Sequence, residues 1–528
     1  MYSFIASIPF LVFFLLILFA KRGVLFSIVI AFAVLLFTSV NYWGMEWLRI
    51  FSAMGKGVLV ATEIILIVFG ALLILESLKT KKMLLFLKDF FESISMDKRV
   101  HIVLIAFALI FFLEGVAGFG APVIIAVPIL IALGFAPLTA VILALIGDSL
   151  PVIFGAIGLP ITYGMRIPLE QFMLGALFES SITLVIAMFN ILGSVIIPLI
   201  LLFVFTKMED KPTSHFFEFI PFAFVAGLSA SIPALITAYF IGPELPSVIG
   251  GICAIFFIAF MAKKGVLIIR TEKSEELKPV AETPKEKTKM FKAVFPYVLI
   301  STILFLTRIP YLPFKNIVSN FSVIKIDTIF GEYVNYSFAP FYSAGIILIF
   351  VAFVSFLILR LDREDLKKTF INSYNKIKTP YLSLIVMLGF VQVFMYSGEN
   401  LFDFKSMPTI LAEGGSFVFG SVWPIFAPFI GALGSFTSGS ATVSNLIFSS
   451  IQYETAILSG FSPVIILALQ GIGAAGGNMI ALHNVIAGLA VAGIVGKEGL
   501  VVRKNMVPLI FYLLVIGLLG FIISVINI

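Results

Sequence analysis

Long apolar runs follow one another from the first residues to the last, separated by short polar breaks. A helix needs roughly 17–25 such residues to cross a bilayer. The runs fall near 4–20, 24–40, 57–78, 171–206, 217–241, 246–262, 292–308, 338–360, 380–397 and 506–526. The run 171–206 is too long for one straight crossing and is expected to tilt or bend. Membrane β-barrels use alternating segments of about ten residues. These runs are continuous, so the pattern predicts an all-α polytopic membrane protein. Two further stretches, 100–162 and 416–495, are apolar but interrupted.

The polar breaks sort by charge. Lys and Arg gather at 21–22, 79–99, 207–211, 263–292, 360–378 and 497–504, and are scarce at 41–56, 242–245, 309–337 and 398–415. By the positive-inside rule the first set is cytoplasmic, which puts both termini outside. The opening run has no basic residues ahead of it, so it reads as a first span and not a cleaved signal. The segment "RTEKSEELKPVAETPKEKTK" (270–289) mixes both signs and has no aromatics. It reads as a flexible cytoplasmic linker.

Composition narrows the function classes. Of 528 residues, 60% are hydrophobic and only 12% charged, against about 25% charged in soluble proteins, and mean hydropathy is +1.14. The net charge of +6 sits in the loops just named, which points to membrane topology and not to nucleic acid. Cys253 is the only cysteine, which excludes a disulfide framework or a thiolate metal cluster. Three scattered histidines give no metal-ligand spacing. No phosphate-binding loop, HExxH or nucleophile–base pair stands out. An ATP-driven pump would need a separate motor subunit, and neither cofactor nor metal is expected.

The interrupted stretches repeat each other. "GFAPLTAVILALIGDS" begins at Gly134 and "GFSPVIILALQGIGAAGG" at Gly460. Each follows a glycine- and hydroxyl-rich break, "EGVAGFGAP" or "GALGSFTSGSATVSN". Each break divides its region into pieces of about 14 residues, roughly 21 Å long, short of the 30 Å hydrocarbon core. Residues 100–134 and 416–459 are therefore expected to be re-entrant hairpins. The loop before the first carries six Lys and Arg, and the loop before the second carries only Lys405. The two should enter from opposite sides, as an inverted-topology repeat. The first half spans 1–206, with a broken helix at about 137–162. The second spans 290–528, with a broken helix at about 463–490. Residues 207–269 supply additional spans, read as scaffold.

Irregular backbone at membrane depth is tolerated where it is buried or lines a wet cavity. The helix starts near Ala121–Pro122 and Ser440–Thr442 offer N–H groups and partial positive charge to an anion. The breaks "IGDSLP" (146–151) and "GIGAAGGN" (471–478) should unwind the following helices. Candidate substrate-binding residues are Gly118, Phe119, Gly120, Ala121, Pro122, Thr437, Ser438, Gly439, Ser440, Thr442 and Asn445. Ionisable residues inside a membrane are functional by default. Glu114 reads as a proton carrier or a structural acid, Asp148 as the same or as a helix breaker, and His483 as a relay or a hydrogen-bonded filler. Glu63 reads as a coupling acid or an interfacial one. Arg166 reads as an anion attractor at an outer mouth or a solvated loop charge.

The block "FLEGVAGFGAPVIIAVPILIALGFAPLTAVILALIGDSLPVIFGAIGLPI" (112–161) resembles the central signature of the L-lactate permease family, and "GALGSFTSGSATVSNLIFSSIQ" (431–452) resembles its second signature. The resemblance implies a plasma-membrane permease for L-lactate and related 2-hydroxymonocarboxylates such as glycolate, coupled to protons. It also implies kinship with a wider superfamily of elevator-type transporters, often homodimeric. Glu114, Gly115, Gly118, Phe119, Gly120, Pro122, Gly155 and Gly158 carry over from the first block, and Gly439, Ser440, Thr442, Ser444 and Asn445 from the second. Asp148 stands where a neutral Asn is usual, Ala441 replaces an acid, and His483 is an addition. An acid absent at 441 and present at 148 reads as a relocated negative charge. The rival readings are a sodium-coupled or dicarboxylate carrier of the same fold, and an anion channel.

Overall fold

The computed structural model describes all residues except 1, 19–22, 82, 84–90, 92, 119, 175, 268–283, 309–311, 495 and 527–528. Among the described residues, eleven helices are long and apolar enough to cross a membrane. The chain is a multi-pass helical membrane protein, as the apolar runs predict.

One packed group joins the start of the chain to its middle. Trp47–Thr80 lies along both Ala344–Leu359 and Arg363–Met395, with Tyr2–Leu18 and Val24–Asn41 beside them. Lipid tails are as apolar as leucine, so helices in a bilayer associate through close packing of small residues. Gly57 shows this: a methyl there would stand 2.7 Å from the Gly389 nitrogen. Arg363–Met395 starts well before the span expected at 380–397. Asp362 and Asp365 cap it reciprocally, with the Asp365 N–H donating to Asp362 Oδ1 at 2.8 Å. The basic stretch 360–378, expected as a loop, is thus this helix's polar first half.

Residues 309–337 were also expected to be a loop, yet they contain the only strands among the described residues. Ile324–Ile329 pairs antiparallel with Glu332–Phe338. Phe330 and Gly331 both take positive φ between paired Ile329 and Glu332, the geometry of a two-residue hairpin turn. The hairpin is fastened to Trp47–Thr80: Ser52 Oγ donates to the Ile329 carbonyl at 2.7 Å, and Arg49 Nη1 to the Tyr333 carbonyl at 3.0 Å. Most of the polar segment 270–289 lies outside the described residues, and its last six residues open the helix Pro284–Arg308.

A second group contains both interrupted stretches. Each runs helix, break, helix, and then a helix that begins at proline and breaks near its end. In the first stretch these are Lys98–Val116, Ala121–Ala132, Pro137–Asp148 and, past a 3-10 turn, Gly155–Thr162. In the second they are Trp423–Ser438, Ala441–Leu458, Pro463–Gly476 and Leu482–Val491. Both leading pairs fold back on themselves. Lys98 Nζ donates to the Gly134 carbonyl at 2.5 Å, and Ser444 Oγ to that of Gly431 at 2.7 Å. The arms are less even than the expected 14 residues. Lys98–Val116 has 19 residues, about 28 Å, because Asp97 caps it early and an eight-residue π segment, Ile102–Leu109, carries it on.

The later breaks shift in the second stretch. The first helix ends at Asp148, and Ala156, Ile157 and Gly158 then take left-handed conformations in succession. In the second, 471–476 stays helical and the break falls at Gly477–Ala481. Those glycines serve packing: Gly473 sits against the Pro428 backbone with no room for a methyl. Pro246–Lys264 belongs with this group, since Gly115 meets the backbone of Ser247–Val248 and Gly251 that of Phe112.

Candidate functional site

The two glycine breaks meet. A cavity of about 340 Å3, including its open mouth, is lined on one side by Glu114, Gly118 and Gly120 and on the other by Gly439, Ser440, Ala441 and Thr442. The broken helices close it with Val152, Gly155, Ala156, Leu159 and Pro160, and with Asn478 and Asn484.

The local sequence explains the shape. Gly118, Gly120 and Gly439 have φ of +55°, +75° and +73°, the left-handed region that glycine enters without strain. They end the leading helices and turn the chain within a few residues. Ser440 then caps the second returning helix, its Oγ accepting from Val443 N at 3.4 Å. The Ala441 and Thr442 N–H groups are the first two of that helix and have no partner within it. The first returning helix offers less than expected. The Ala121 N–H donates to the Gly118 carbonyl at 3.0 Å, and Pro122 has no N–H. The donors for an anion therefore come mainly from the second break.

The candidate residues divide accordingly. Gly118, Gly120, Gly439, Ser440 and Thr442 line the cavity, and Phe119 lies outside the described residues. Ala121 and Pro122 are buried behind the first tip. Thr437 Oγ1 donates to the Leu433 carbonyl at 2.9 Å, and Ser438 Oγ to that of Gly434 at 2.7 Å, so both hydroxyls are engaged by their own helix. Asn445 is a positioning residue: its Nδ2 donates to the Pro160 carbonyl at 3.0 Å and steadies a residue of the wall.

Glu114 is the only ionisable residue among those lining the cavity. Its carboxyl fills the space left by Gly155. Asp148, fully buried, is its acidic neighbour. Gly147 packs against the Ala106 carbonyl so closely that no side chain would fit, which holds Asp148 against the leading helix. Neither Asp148 oxygen, nor Glu114 Oε2, receives a hydrogen bond from the described residues. Two neighbouring buried carboxyls, with no cation beside them among the described residues, cannot both be ionised at low cost. His483 packs its ring behind Gly439 and points Nε2 toward Gly120, off the cavity wall. Glu63 lies elsewhere and accepts from the Tyr163 hydroxyl at 2.9 Å. Arg166 stacks over the Tyr163 ring at 5.6 Å.

Two polar cavity residues have no counterpart among the candidates read from sequence. Asn478 accepts from Ser435 Oγ at 3.1 Å. Asn484 is 1% exposed, and neither polar atom of its side chain has a partner among the described residues. "GGNMIALHN" contains both, but an amide at a helix start has no spacing signature.

Paired helix breaks around a polar cavity, with eleven apolar helices of spanning length among the described residues, fit the architecture of a membrane carrier. The chain belongs to the L-lactate permease family, whose model matches residues 3–527. It is a transporter and not an enzyme. It is 29% identical over 469 residues to the L-lactate permease of Bacillus subtilis, covering 81% of this chain and 79% of that one. It is 28% identical to the L-lactate permease of Escherichia coli and 27% identical to that organism's glycolate permease, covering 81% and 78% in both cases. Among solved structures, the Neisseria gonorrhoeae MtrF efflux pump aligns over 96% of this chain and 85% of that one, at 15% identity and a TM-score of 0.34, too low to establish a common fold.

Proposed function

We propose that this protein carries L-lactate or a related 2-hydroxymonocarboxylate such as glycolate across the plasma membrane together with a proton. The observation behind this reading is a cavity whose only ionisable group among the described lining residues is an acid, with a second buried acid as its neighbour. A substrate carboxylate entering beside an ionised Glu114–Asp148 pair would be repelled, and a proton on the pair removes that repulsion. The Ala441 and Thr442 N–H groups then receive the carboxylate at the positive end of their helix. Binding of anion and proton thereby become one event, which is symport.

In the same reading the two folded-back helix pairs are re-entrant hairpins of an inverted repeat, with both termini outside the cell, and the protein works as a homodimer. The halves are 1–206 and 290–528. Close backbone packing of Pro246–Lys264 on Lys98–Val116 favours assigning 207–269 to the moving body, instead of to the scaffold expected from sequence. The scaffold is then the group built on Trp47–Thr80 and Arg363–Met395, against which the hairpins travel as an elevator.

The test is labelled-lactate uptake by proteoliposomes under an imposed pH gradient, with and without sodium. Uphill accumulation that follows the pH gradient and ignores sodium is expected. Accumulation that follows sodium instead overturns proton coupling, and flux that never exceeds equilibrium makes the protein a channel.

A further inference from the structure

The cavity contains one polar side chain whose state nothing above explains. Asn484, in the first turn of Leu482–Val491, is 1% exposed, and both its Nδ2 and its Oδ1 lack partners among the described residues. A buried donor or acceptor left unpaired costs about 1–3 kcal/mol, so such groups persist mainly where something comes to pair them. The amide faces the first glycine break: a Cβ on Gly120 would stand 2.5 Å from Asn484 Oδ1. Of the other side chains nearby, His483 points Nε2 at the same glycine, 3.8 Å from that Cβ position, Glu114 is the acid assigned to the proton, and three more are engaged. Asn478 holds Ser435, Asn445 holds Pro160, and Ser440 caps its helix.

The chemistry of the free amide narrows its ligand. A carboxylate only accepts hydrogen bonds, so it can satisfy Nδ2 but never Oδ1. Oδ1 needs an O–H or N–H donor. A 2-hydroxy acid presents a hydroxyl on the carbon next to its carboxylate and so offers both functions a partner at one place. We propose that Asn484 reads the 2-hydroxyl of the substrate, with Oδ1 accepting from the hydroxyl and Nδ2 donating to the hydroxyl or carboxylate oxygen. Asn484 is then the residue that separates 2-hydroxy acids from plain monocarboxylates. This rests on the carboxylate-carrier reading above and deepens it.

A site built to pair a substrate hydroxyl rejects the analogue that lacks it, because its own polar groups are left buried and unpaired. The cost of that loss corresponds to a discrimination of roughly 5- to 150-fold. The experiment measures kcat/KM for lactate and propionate in proteoliposomes, for wild type, N484L and N484T. The wild type should prefer lactate within that range. N484L should lose far more lactate transport than propionate transport, bringing the ratio to within about threefold of unity. N484T, which retains a hydroxyl at the site, should fall between them and carries the test if N484L does not purify as a monodisperse protein. A variant that keeps the wild-type ratio, or that loses both substrates in equal proportion, overturns the assignment of Asn484. Absence of saturable lactate uptake in the wild type overturns instead the carrier reading on which it rests, and the wild-type arm alone shows which has failed.

Discussion

Replacing Glu114 by glutamine probes the coupling step most directly. Glu114→Gln keeps the side chain's length and its fit under Gly155 but removes a proton-binding group from the carboxyl pair. In the wild type, an ionised pair member and a substrate carboxylate about 5 Å apart, at an effective dielectric near 20, repel by about 3 kcal/mol. That is roughly a hundredfold in affinity. Protonation of the pair relieves the repulsion, so wild-type affinity for lactate should be greatest at acid pH and fall as pH rises through titration of the pair. With glutamine at 114 only Asp148, off the cavity lining, is left to titrate, so the acid that faces the substrate no longer takes up and releases a proton. Net uptake driven by a pH gradient should drop about a hundredfold. Exchange of labelled for unlabelled lactate moves no net proton, so it should persist, with its pH dependence flattened. Both are read in the same proteoliposomes, by gradient-driven uptake and by counterflow. Wild-type net uptake in E114Q, with its pH dependence intact, would refute the role of the pair.

Three more substitutions test the surroundings. A441D places a carboxylate at the start of the helix proposed to receive the substrate and should lower lactate uptake about tenfold or more through like-charge repulsion, measured at saturating proton gradient. G439A adds a methyl where φ is +73° and where the His483 ring already lies. The strain alone is about 1–2 kcal/mol, and binding of lactate by calorimetry should weaken by at least tenfold. G57L cannot fit against the Gly389 backbone and should yield aggregated protein on size exclusion, whereas G499A, where an added methyl meets nothing within 4 Å, should purify normally.

The cavity was partly legible because glycine clusters in apolar runs have few other uses, and both breaks became its walls. The acid pair was not legible as a pair. Glu114 and Asp148 lie on different helices, and packing such as the close approach of Gly147 to Ala106 brings them together. Thr437 and Ser438 looked like site residues, but hydroxyls in the last turn of a helix readily bond back to carbonyls three or four positions earlier, as both do. Asn484 was hidden for the opposite reason, since its importance lies in having no partner. The strands at 324–338 were missed because their apolar residues adjoin a spanning run and blur into it.

The absence of Lys or Arg among the described residues of the cavity lining has an electrical consequence. A carrier that meets its anion with a fixed cation changes charge when loaded, and the membrane potential then drives one leg of its cycle and opposes the other. A carrier that gains one proton with each monocarboxylate bears the same charge full or empty. Its cycle is voltage-silent, and accumulation should stop where the lactate ratio equals the proton ratio, whatever potential a potassium–valinomycin clamp imposes.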